Sequence, residues 1–331
     1  MGGGLSYVKA SSINQLIVYF GESSFAIAVN LFIAISGYFL VDNTKRNGWR
    51  VVELILQVIL FNVGFYLLRC VTGRVIFSAR SFLGCCLPVN YYAVLYCVLY
   101  LVSPYLNVVI NRISIKELKR LVCFSMVLFS VIPTGVDVLI EITGNTLNGL
   151  SPIGINGSQS GYTIVNFGLL YLLGAYIRRT GLEIKMKRTY VWCAALVCVF
   201  LLTGWVLISN RLGYGNGVAW EYCNPVLILT TCLVLIGFLE MNIGRNRMIN
   251  ALSKATFTVF LLHSYFFRFL NVEALVNANP FLMCLRILGS AMAIYLVCWV
   301  VDFIYRKTVL LLLSVLEERF SLSYKVGDDF S

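Results

Sequence analysis

Apolar residues in this chain fall into long unbroken runs rather than into alternation or narrow helical stripes. The runs lie near residues 24–41, 51–72, 89–110, 121–141, 162–178, 189–209, 219–240, 255–271 and 281–304. A helix needs about 20 mostly apolar residues to cross a bilayer. The pattern therefore predicts an all-α, polytopic integral membrane protein with about nine transmembrane helices in a single domain. No repeat of fixed period is evident. The opening MGGGLSYVKASS reads as a loop, without the charged and apolar regions of a signal peptide.

Composition agrees with that picture. The chain has 331 residues, 59% hydrophobic and 12% charged, with a mean hydropathy of +0.84. Soluble domains carry about a quarter charged residues. The net charge of +11 is concentrated in alternate connections, at 45–50, 112–120, 178–188, 245–254 and 306–307. The opposite ends hold chiefly Lys9, Arg69, Arg74, Arg80, Arg211 and Arg268. The positive-inside rule then expects a multi-pass protein of the cell membrane with its carboxyl terminus in the cytoplasm and its amino terminus outside. With the charge so distributed, no basic stripe remains for nucleic acid. Most of the eleven cysteines sit inside apolar runs, where cysteine acts as a small apolar residue. No metal-ligand pattern is read.

A few polar residues stand out against this background. His263, in TVFLLHSYFF, is the only histidine. An imidazole suits proton abstraction, yet a polar side chain in a membrane helix also serves as an interhelical hydrogen-bonding support. We read His263 as support, on a polar seam with Thr256 and Ser264, and keep it as a candidate base. Asp137 and Glu141 lie four apart, hence on one helix face, with Pro133 positioned to kink their helix. They are the other candidate bases. Trp220 and Glu221 fall at an outer helix end, where aromatic residues stack on sugars or simply form an interfacial belt. Asn30 and Ser36 differ by about 120° around their helix. The connection 144–162 is long, uncharged and rich in Gly, Asn and Ser, as a loop lying over a binding site would be.

Five blocks, in order, resemble the membrane acyltransferase 3 family. AVNLFIAISGYFLV (28–41), followed by TKRNGWR, looks like the family's second-helix signature. NYYAVLYCVLYLVSPYLN (90–107) is similar to its aromatic-rich helix, and FGLLYLLGAYIRR (167–179) to its short helix with a Gly before a basic turn. EYCNPVLILTTCLVLIGFLE (221–240) and ATFTVFLLHSYFF (255–267) resemble its late helices. The resemblance implies an acyl-CoA, usually acetyl-CoA, as co-substrate with no bound cofactor. It also implies a glycan or lipid-linked sugar acceptor presented at the membrane lipid. On that basis Asn30, Ser36, Gly37, Tyr91, Tyr92, Trp220 and Glu221 are expected near the acceptor, and Arg178 and Arg179 near the phosphates of coenzyme A. The family plan has ten helices. Nine spans with an outward start match it without its first helix, so the resemblance implies that the family's histidine base precedes Met1. A transporter of lipid-linked sugars shares the polytopic frame, but the inverted repeats or paired broken helices usual in transporters are not found.

Overall fold

The computed structural model describes residues 7–8, 12–155, 157–182, 186–215, 217–241, 244, 246–310 and 323–325. Expectations involving Lys9, Lys185 and Arg245 lie outside these residues. The helices follow in chain order as α1 (Ile13–Phe25), α2 (Ala28–Leu40), α3 (Trp49–Val71), α4 (Ala79–Cys85) and α5 (Tyr91–Arg112). Next come α6 (Ile115–Met126), α7 (Ile132–Thr143), α8 (Ile164–Thr180), α9 (Arg188–Arg211) and α10 (Pro225–Leu239). The last are α11 (Arg247–Ser253), α12 (Thr256–Phe266), α13 (Val272–Val276) and α14 (Pro280–Tyr305). The protein is an all-α polytopic membrane protein.

Among the described residues, seven helices are long and apolar enough to cross a membrane, including the continuous stretches Ile13–Leu40 and Ile115–Thr143. Two expected spans differ. Helix α8 has 17 residues, with a run from Asn166 to Ala175 in which only Gly168 lacks a buried assignment. The expected 255–271 span forms the 11-residue α12, followed by a 3-10 turn at Phe267–Phe269. Residues 13–25 are helical, where the apolar run was expected to begin only at 24. Helix α14 shows how the bilayer replaces a protein core. Leu285, Leu288, Met292 and Leu296 recur at helical spacing and are all exposed, as lipid-facing residues are.

The chain forms two compact units. The first comprises residues 1–18, 47–94 and 243–324. Its core joins Val58, Ala93, Leu261, Leu262 and Cys298. A buried polar chain runs through it: Gln57 Nε2 donates to Thr258 Oγ1 at 2.7 Å, Thr258 Oγ1 to Asp302 Oδ1 at 2.6 Å, and Arg306 Nε to Asp302 Oδ2 at 2.5 Å. An ionised carboxylate inside apolar surroundings persists only when paired and hydrogen-bonded, and Asp302 is both.

The second unit comprises residues 19–46, 95–242 and 325–331. Helices α2 and α8 meet there at two glycines. A Cβ on Gly37 would lie 2.1 Å from the Tyr171 carbonyl oxygen, and one on Gly174 would lie 2.0 Å from that of Ala34. Small residues let membrane helices approach backbone to backbone, and these notches are reciprocal. The end of α2 is closed by side chains. Asn107 Nδ2 donates to the carbonyls of Leu40 and Asn43, Asn111 Nδ2 to that of Val41, and Tyr171 OH to Asn107 Oδ1. Buried Arg46 donates to Ser103 Oγ and to the Asn43 and Lys45 carbonyls at 2.9 Å each. Carbonyls left over at a helix end are thereby satisfied away from water.

Candidate functional site

The site is built around a break in a helix. Pro133 has no N–H and its ring crowds the preceding turn. Directly upstream, residues Val127–Val131 form a π-helical turn before α7 continues. Pro133 thus stands in the first turn of α7, directly after that irregular turn. Within that turn Ser130 Oγ donates to the Cys223 carbonyl at 2.6 Å. One and a half turns on, α7 presents Asp137.

The connection after α7 folds back over this carboxylate. The Ser158 N–H is 3.1 Å from both Asp137 oxygens. Gly157 has φ +59°, and a Cβ there would meet Asp137 Oδ1 at 1.8 Å, so glycine is required by conformation and by contact. Gln159 and Ser160 both have φ of 54°, a left-handed conformation costing about 1–2 kcal/mol per residue outside glycine. That strain turns the loop so that both serine hydroxyls reach Glu221. Ser158 Oγ donates to Oε2 at 2.9 Å and Ser160 Oγ to Oε1 at 3.3 Å. The backbones are joined as well, with the Tyr222 N–H donating to the Ser160 carbonyl at 3.1 Å.

Two asparagines brace this junction from below. Asn30 Nδ2 donates to the Tyr222 carbonyl at 2.8 Å, and Asn166 Nδ2 to that of Gly161 at 3.1 Å. Both side chains are fully buried, and among the described residues their Oδ1 atoms have no hydrogen-bond partner. Asn224 caps α10 by accepting from the Val226 N–H at 2.9 Å, with Pro225 in the first turn. This capping directs the chain of Glu221 and Cys223 into the helix.

Oxygens of Asp137 and Glu221 and the Cys223 sulfur all lie within 4.8 Å of one another. By residue type the three suit a cation. Their oxygens, however, already accept hydrogen bonds from the loop. The constellation's evident chemistry is that of paired carboxylates held by fixed donors, able to take a proton from a hydroxyl or bind one by hydrogen bonding.

The other expected residues are distributed as follows. Glu141 lies one turn beyond Asp137 beside Gly215, where a Cβ would approach its Oε1 to 2.9 Å. It borders a groove of about 440 Å³ with Trp205, Ser209 and Tyr214. Trp220 is no interfacial belt residue. Its ring is buried against Tyr19 and its Nε1–H donates to Ser23 Oγ at 3.0 Å. Ser36 donates to the Phe32 carbonyl and meets Tyr96 OH at 3.2 Å, beside the Gly37 contact. Arg178 pairs with Asp42 at 3.3 Å, and Arg179 donates to the carbonyls of Ile110 and Ile113.

Three residues belong to the first unit. Tyr92 packs on Phe260 with ring centroids 4.8 Å apart, while Tyr91 is exposed. His263 turns its Nδ1 toward the carbonyls of Phe260 and Val259, at 2.8 and 3.0 Å on its own helix, and its ring packs on Phe267 at 5.5 Å. Thr256, at the start of the same helix, donates to the Ser253 carbonyl at 2.6 Å. The buried polar line of that unit runs through Thr258.

Ser158, Ser160, Asn166 and Cys223 were not among the residues expected at a site from sequence. No curated protein and no solved structure matches the chain. The acyltransferase domain model of the acyltransferase 3 family matches residues 3–303. That match embraces both units and every element of the carboxylate site, and the chain belongs to this family of membrane acyltransferases.

Proposed function

We propose that the protein moves an acyl group, acetyl by expectation, from cytoplasmic acyl-CoA to a hydroxyl of an envelope glycan or its lipid-linked precursor. The observation that carries this reading is the Asp137–Glu221 pair beneath a loop of Gly, Asn and Ser. In the reaction a carboxylate oxygen accepts the acceptor's hydroxyl proton as the hydroxyl oxygen of the acceptor attacks the thioester carbonyl. The carbon–sulfur bond breaks, and the thiolate of coenzyme A leaves and takes up a proton. Asp137 is held for this task by the Ser158 N–H, and Glu221 by two hydroxyls, so neither needs reorganising at the moment of transfer. Arg178 is half-exposed at the basic end of α8 and supports a role in drawing in the donor's phosphates.

The test is label transfer from radiolabelled acetyl-CoA to glycan in membranes containing the protein. Asp137→Asn and Glu221→Gln each keep the shape of the site. Each is expected to cut transfer about 100-fold or more, the usual worth of positioned acid–base chemistry, at unchanged membrane abundance. His263→Ala is expected to keep activity, its Nδ1 facing carbonyls of its own helix. Transfer undiminished by both carboxylate changes would defeat this assignment. A glycan that crosses the membrane without acquiring label would favour a transporter.

A further inference from the structure

The first unit holds a second polar site, of opposite sign. Arg69 in the last turn of α3, Arg74 just beyond it and Arg268 in the turn after α12 line one pocket of about 290 Å³. They come together from positions nearly 200 residues apart in sequence, floored by stacked Phe65 and Tyr265 with centroids 4.2 Å apart. Among the described residues, none of the three guanidinium groups has an ion pair or a hydrogen bond to the protein. The Arg74 group lies over the Phe269 ring at 4.6 Å.

Three like charges around one small cavity repel each other, and the two helix C-termini offset that only in part, at about half a charge each. The distribution of Lys and Arg along the chain leaves few basic residues at this end of the helices, so the bias that sets membrane orientation does not account for three of them converging. Unused planar forks match phosphate oxygens bidentately, and the aromatic floor suits the organic part of an ester. The volume lies at the lower end of small-molecule sites, about 300–1,000 Å³. We propose that this pocket binds a phosphate or pyrophosphate group carried by an organic molecule, either a lipid headgroup or a water-soluble phosphate. The inference is independent of the carboxylate chemistry proposed above.

The full chain, purified in neutral detergent, is titrated with inorganic pyrophosphate by calorimetry. In parallel it is placed in phosphatidylcholine nanodiscs with and without phosphatidylglycerol, and retained lipid is counted by native mass spectrometry. Binding in the first arm identifies a soluble phosphate ligand; selective retention of phosphatidylglycerol in the second identifies a headgroup. In whichever arm binds, Arg69→Gln and Arg268→Gln are expected to weaken binding about tenfold each, the loss of one charge-assisted contact. Arg268→Lys, which keeps the charge and loses the fork, is expected to fall between. Arg80→Gln, at an arginine that does not line the pocket, is expected to bind as the parent does. Absence of binding in both arms, or equal weakening by Arg80→Gln, would overturn the proposal.

Discussion

The two units bring their helices together through different central contacts. In the second, α2 and α8 meet at Gly37 and Gly174, whose missing side chains let each backbone touch the other. In the first, α3, α12 and α14 are tied by the chain Gln57–Thr258–Asp302–Arg306. Lipid tails are as apolar as leucine, so burying apolar surface does little to drive helices together in a bilayer. Close packing and interhelical hydrogen bonds remain. The contrast predicts that the glycine contact resists any added atom, whereas the polar chain degrades gradually as its bonds are removed.

The largest effect is expected at Gly37. Gly37→Ala sets a Cβ against the Tyr171 backbone, which cannot rotate aside as a side chain would. A loss of about 3 kcal/mol, at the upper end of overpacking penalties, is expected in reversible unfolding in mixed micelles. An unchanged midpoint would show that the two helices do not meet as described. Next is Asp302→Ala, expected to cost about 1–2 kcal/mol, near the upper range for membrane hydrogen bonds, because Arg306 is partly exposed and can reach water. Gln57→Leu removes one bond of the same chain and is expected to cost about 0.6 kcal/mol. A double variant at Gln57 and Asp302 that lost far more than the sum of the two would show that the chain fails as a unit and not bond by bond.

The last change, of opposite sign, is a control on α8 itself. A Cβ on Gly168 would meet nothing within 4 Å. Gly168→Ala is therefore expected to be neutral or to stabilise by about 0.5–1 kcal/mol through helix propensity. Two glycines six residues apart on one helix should thus respond with opposite sign. A similar response from both would turn the comparison from a matter of contact into one of backbone flexibility.

Much of the architecture was legible in the apolar runs, because a membrane span must satisfy its own backbone and so announces itself by length. Helix α1 was less legible. Its polar residues look like loop chemistry until their partners are seen: Asn14 Nδ2 donates to the carbonyls of Val276 and Ala278, and Ser23 accepts from Trp220. Length also misled at 255–271, where the run is apolar enough to span but the helix gives way at Phe267. At the site, Asp137 and Glu221 were visible as carboxylates near helix ends. Their proximity was not, since it depends on a loop that brings residue 158 to residue 221. Helical spacing reports neighbours on one helix only, and so it paired Asp137 with Glu141. The basic pocket was hidden for the same reason: Arg69 and Arg268 meet only through folding.

The widened turn at Val127–Val131 has a further consequence for inheritance and engineering. Adding or removing one residue in a helix rotates everything beyond it by about 100°, and irregular turns of this kind absorb such a change locally. Deleting a single residue between 127 and 131 should therefore restore a regular spiral while leaving Asp137 against the Ser158 amide. The azimuth of that carboxylate is thus buffered against a one-residue change upstream, and a shortened variant that lost acyl transfer would show that the widened turn itself is needed.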